Sequence, residues 1–63
     1  MWIKTCDGEY VNTDWISSLC TRGNDTYAYV GESTIKTMIS RTEDLRATIA
    51  QNIISGTKIM EVQ

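Results

Sequence analysis

The chain reads as an α+β domain: a small antiparallel β-meander of about five strands, one amphipathic helix packed on one face, and a C-terminal strand. Three observations predict this. Turn signals at Asp7-Gly8, Gly23-Asn24-Asp25 and Gly31-Glu32-Ser33 separate short strand-like runs. At Ser40 the apolar period lengthens to that of a helix. After Gly56 alternation returns.

The elements follow in order. "MWIKTCDGEYVNT" reads as a hairpin about Asp7-Gly8, a dipeptide that tolerates positive φ at both central turn positions. "DWISSLCTR" supplies a strand from Ile16 to Arg22, and "GND" turns the chain. The "NDT" triplet matches a glycosylation sequon, but without secretion it is simply a turn. "TYAYV" is the next strand, "GES" the next turn, and "TIKTMIS" a strand from Thr34 to Ile39. Connections this short make antiparallel neighbours, because parallel strands need a long crossover.

"SRTE" is a capping box, in which Ser40 bonds the Glu43 amide and Glu43 reaches back. Leu45, Ile49 and Ile53 recur every four residues, and Ala50 and Ile54 widen the stripe. The expectation is a helix of about four turns, stopped by Gly56 in the left-handed conformation. In the tail, Ile59 and Glu61 alternate with Met60 and Val62, as in a strand added to a sheet edge of the same or a neighbouring subunit.

Sixty-three residues form one domain, 1–63, with a thin core. Chains of this size commonly add a metal, a disulfide or a partner subunit. No histidine is present, and Cys6 and Cys20 do not have zinc-site spacing. No secretory leader is read at the N-terminus, so the expected location is the cytoplasm, with both thiols free and half-buried. No apolar run approaches a membrane span. Self-association is left, most simply as a symmetric dimer. The net charge of −2, with the cations spread singly, argues against nucleic-acid binding.

A helix with an aliphatic stripe asks for an aliphatic sheet face beneath it. Ile3, Val11, Leu19, Val30, Ile35 and Ile39 are expected there. Alternation then sends Trp2, Tyr10, Tyr27, Tyr29 and Met38 to the opposite face. Three readings of that aromatic face stand open: the core of a curled sheet, an oligomer interface, or the lining of a ligand pocket.

Catalysis is hard to assemble without histidine, and no catalytic residue or cofactor is expected. Cys6 stands beside Asp7, and Cys20 lies two residues from Arg22. A strand cysteine of this kind is ordinarily structural. The carboxylates fall mostly at turns and caps, where Glu43 and Asp44 complement the helix dipole. Binding is easier to assemble. Trp2, Tyr10, Trp15, Tyr27 and Tyr29 offer aromatic area for a planar ring. Arg22, Lys36 and Arg41 offer charge for a phosphate or carboxylate.

"MWIKTCDGEYVNTDWISS" resembles a loose class of very small, uncharacterised proteins of Gram-positive bacteria and their phages. Trp2, Ile3, Lys4, Asp7, Gly8, Glu9, Val11, Asn12, Ile16 and Ser17 carry the likeness. It is close over the first third of the chain and a matter of layout thereafter. The tail from Thr57 to Gln63 departs from it. The resemblance implies a meander with a C-terminal helix and a phage setting, in which small proteins often counter host defence. The expected function is a non-enzymatic homo-oligomer that sequesters a small nucleotide-derived signalling molecule. The alternatives are an inhibitor that docks its aromatic face on a host protein, and an accessory structural protein without a small ligand.

Overall fold

In a computed structural model, which describes residues 1–32 and 36–62, the chain is an α+β fold of six strands and one helix. The strands are β1 (Trp2–Lys4), β2 (Tyr10–Asn12), β3 (Ile16–Arg22), β4 (Asp25–Val30), β5 (Lys36–Ser40) and β6 (Ile59–Glu61), with α1 (Arg46–Ile54) before the last. The expected start of β5 at Thr34 and the expected core residue Ile35 lie outside the described residues.

The meander is two sheets rather than one: β2-β1-β6 and β3-β4-β5. The division falls at a short 3₁₀ turn, Thr13–Trp15. Asn12 Oδ1 accepts from the Asp14 amide at 3.0 Å, while Thr13 donates from its amide and its hydroxyl to the Met1 carbonyl. The Thr13 amide thus extends the β1–β2 ladder to the chain start, and the Asn12 side chain, bonded to the Asp14 amide, turns the backbone out of that sheet. The sheets touch again at their far ends, where the Cys6 amide donates to the Ile39 carbonyl at 2.9 Å.

The first hairpin also differs from expectation. Gly8 has φ +82°, but Asp7 does not share the left-handed region. The Gly8 amide donates to the Thr5 carbonyl, and the Thr5 amide to the Glu9 carbonyl. This is a three-residue loop, with a type I turn followed by a left-handed glycine. It also places Cys6 in the turn, not in a strand; both cysteines are free and half-buried.

β6 joins its own chain, parallel to β1, with Trp2 opposite Ile59, Ile3 opposite Met60 and Lys4 opposite Glu61. Parallel pairing is possible here because the whole intervening chain serves as the crossover.

The helix is shorter than the stripe that predicted it: nine residues, Arg46–Ile54. Ser40 Oγ accepts from the amides of Thr42 and Glu43, so its half of the capping box forms. It closes a turn at the end of β5 instead of starting the helix. The helix entry is held by two other groups. The Leu45 amide donates to Thr26 Oγ1, and the Arg46 amide to Asp44 Oδ1. At the other end Gly56 (φ +74°) donates to Ile53, and Thr57 to Asn52, which is a Schellman stop.

The core lies between the sheets and the helix: Ile3, Ala28, Ile39, Leu45, Ile49 and Met60, with Met1, Ile16, Leu19 and Val62 half-buried against it. Grooves lined by α1 with β3 on one side, and by α1 with β6 on the other, place the helix between those two strands. Ile3, Val11 and Ile39 are buried as the alternation required, while Leu19 and Val30 are half-buried. Ala50, Ile53 and Ile54 do not join the core; all three are exposed. No helix among the described residues is long and apolar enough to cross a membrane.

Candidate functional site

Splitting the meander also splits the aromatic face. Trp2 and Tyr10 belong to the first sheet, Tyr27, Tyr29 and Met38 to the second. The expected single strip is two separate surfaces.

The first surface is a groove of about 300 Å³ lined by Trp2, Glu9, Tyr10, Val11, Asn12, Trp15, Val30 and Thr37. Trp2 and Tyr10 both project from the solvent face of their hairpin, since Ile3 and Val11 between them are buried. Trp15 arrives from the 3₁₀ turn. Its carbonyl accepts from the Gly31 amide, and the Asn12 and Thr13 bonds fix the turn from the other side. The three rings are 47%, 58% and 64% exposed. Such exposure is large for residues of this type, and here three of them border one groove. Besides the rings, Glu9, Asn12 and Thr37 are the polar side chains in the lining, and none of the lining residues carries a positive charge.

The second surface is the outer face of β3-β4-β5. Tyr27 stands opposite Cys20 on one side and Met38 on the other; Tyr29 stands opposite Ser18 and Lys36. Thr26 and Ala28, which point inward, are fully buried. Lys36 Nζ lies 4.4 Å from the centre of the Tyr27 ring, a cation–π contact. Arg41 folds back over the same face, with Nε 3.3 Å from Met38 Sδ and its other end on Asp7 at 2.8 Å. That ion pair links the second sheet to the turn of the first hairpin.

The eight candidate binding residues therefore fall into three places. Trp2, Tyr10 and Trp15 meet at the groove. Tyr27, Tyr29, Lys36 and Arg41 meet on the second sheet. Arg22 stands apart at the end of β3, opposite Asp25. Among these eight residues, aromatic rings and positive charge coincide on the second sheet, while on the first sheet it is Lys4 that stands opposite Tyr10.

Two further ion pairs lie among the described residues. Lys4 Nζ is 3.2 Å from Glu61, whose hydrogen bond and charge raise the lysine pKa above its ordinary value. Asp44 is bound by the Arg46 side chain at 3.0 and 3.2 Å and by the Arg46 amide at 3.1 Å. The guanidinium and then the amide hold its carboxyl at about 2. Both pairs tie elements together at the surface: β1 to β6, and the helix to its entry.

The sequence reading passed over Thr26, whose buried hydroxyl organises the helix entry, and the exposure of Ile53 and Ile54. A threonine in a short β-strand gives no signal of a partner 19 residues away. The width of the helix stripe did hold a signal, because it exceeds what one thin core can cover.

Comparison with protein-family models, with curated proteins and with solved structures finds no match to this chain.

Proposed function

We propose that this protein is a non-enzymatic, homo-oligomeric binding protein of the cytoplasm, phage-encoded, whose Trp2–Tyr10–Trp15 groove takes the planar ring of a small nucleotide-derived signalling molecule. The observation that carries the reading is the meeting of three half-exposed aromatic side chains at one groove of about 300 Å³. That is the lower end of the volume range of small-molecule sites. Stacking suits such a lining, since each ring offers a face and Tyr10 and the two indoles keep a polar handle.

The charge distribution sharpens the ligand class. Lys36 and Arg41 lie on the other sheet, so the groove serves the ring end of a ligand and not its phosphates. The phage setting rests on the likeness of the opening residues alone.

A second reading, docking on a host protein through the same surface, is favoured by one observation. Ile59, exposed, stands beside Trp2 across the β1–β6 pair and extends the apolar surface beyond the groove.

Tryptophan fluorescence tests the first reading. A panel of adenosine, AMP, ADP-ribose and a cyclic dinucleotide is titrated into the protein. Saturable quenching by at least one member, lost in Trp15→Ala, is the expected result, with the ligand recovered chemically unchanged after denaturation. A flat response across the panel overturns it. A partner retained from host lysate by the native chain and lost with Trp15→Ala then supports the second reading.

A further inference from the structure

We propose that Trp2, Ile53, Ile54 and Ile59 form the contact between two copies of this chain, related by a two-fold axis. The apolar stripe on the helix is wider than a single copy uses. Leu45 and Ile49 are buried, but Ile53 is 50% and Ile54 79% exposed. Ile59, 60% exposed, stands opposite Trp2 in the β1–β6 register. Trp2 and Ile53 line one groove of about 500 Å³, running between the start of β1, the 3₁₀ turn and the C-terminal end of the helix. Scattered exposed isoleucines are unremarkable; here Trp2 shares the groove with Ile53, the helix neighbour of Ile54, and stands beside Ile59 across the sheet.

The charges on this groove select a second copy as the occupant. Asp14 lines it from the 3₁₀ turn and Lys58 from the segment before β6. Neither takes part in an ion pair among the described residues. A two-fold contact repeats each of its interactions in reverse. Asp14 of one copy facing Lys58 of the other therefore forms two pairs at once, flanking an apolar centre. A partner of a single charge sign would leave one of the two groups repelled.

Area agrees with this. The exposed parts of Trp2 and the three isoleucines amount to on the order of 300 Å² of apolar side chain per copy. With the polar rim the contact reaches about 500 Å² per copy, or ~1,000 Å² in total, the lower limit for a specific interface. It covers roughly an eighth of the 4259 Å² surface of the chain. Tyr10 and Trp15 stay outside it, and Trp2 is the residue it shares with the ring-binding groove.

Sedimentation equilibrium between about 1 and 100 μM is the test. A reversible dimer is expected in this range. Ile54→Glu, at an exposed helix position, is expected to weaken it by ~100-fold with an unchanged circular dichroism spectrum. Asp14→Lys or Lys58→Asp alone weakens it about tenfold, and the double exchange restores it to within about threefold of the native value. A monomer throughout the range, a dimer indifferent to Ile54→Glu, or a double exchange that does no better than either single one overturns the proposal. Ligand titration of the Ile54→Glu protein reports on the groove separately.

Discussion

The Thr26 hydroxyl accepts a hydrogen bond from the Leu45 amide at 2.9 Å and donates one to the Glu43 carbonyl at 2.7 Å. One buried oxygen on β4 thus fixes both sides of the chain as it enters the helix. No side chain caps the amides there in the usual way. Thr26→Val keeps the shape and strands both backbone groups, at a cost of about 1–3 kcal/mol. Thr26→Ser, which retains the oxygen, should lose less. Urea midpoints of the two variants check the order, and equal losses would show that the methyl group, not the hydroxyl, matters.

Ile39 is fully buried and its carbonyl holds the Cys6 amide, where the two sheets rejoin. Ile39→Ala opens a cavity in the smallest of cores, and the expected loss is about 2–5 kcal/mol. A domain of this size has little more than ~5 kcal/mol in total. The variant is therefore expected to lose its cooperative thermal transition at neutral pH; a sharp transition within a few degrees of the native one would contradict this.

Acid should weaken the helix entry. Arg46 holds the Asp44 carboxyl at about 2 in the folded chain, below its ordinary 3.8. The unfolded chain thus binds that proton more tightly. The contribution of the pair is complete above pH ~4 and disappears as pH falls toward ~2. The pair is exposed, so the effect is modest and screened by salt. In Asp44→Asn the urea midpoint should fall less between pH 5 and 2, in arbitrary buffer at ~50 mM ionic strength. Parallel profiles for the two proteins would remove the pair from the acid response.

Trp2 and Trp15 are both open to solvent. In the monomer their emission is expected at the long wavelengths of hydrated indole, and acrylamide should quench both. Occupation of the groove should protect them. A blue-shifted, unquenched native spectrum would mean that a partner surface covers them already.

Much of the fold is legible in the sequence. Gly23 and Gly31 mark real turns, Gly56 ends the helix, and alternation places Ile3, Val11 and Ile39 inside. The break between the sheets is not. It depends on the Asn12 side chain bonding the Asp14 amide, and such a bond leaves no periodicity to read. The helix length misled because Ser40 has a capping residue's chemistry at the end of a strand. For the candidate site, residue types and outward direction were legible for Trp2 and Tyr10 and for Tyr27 and Tyr29. Their division between two surfaces follows from the sheet break and shares its obscurity.

β1 is the central strand of its sheet, and its two neighbours come from opposite parts of the chain. One side is closed by β2 a few residues on; the other waits for β6, with Lys4 and Glu61 paired across 57 residues. The first sheet therefore closes only when the segment after the helix is in place: Trp2, Ile3 and Lys4 keep one bare edge until Ile59, Met60 and Glu61 pair with them.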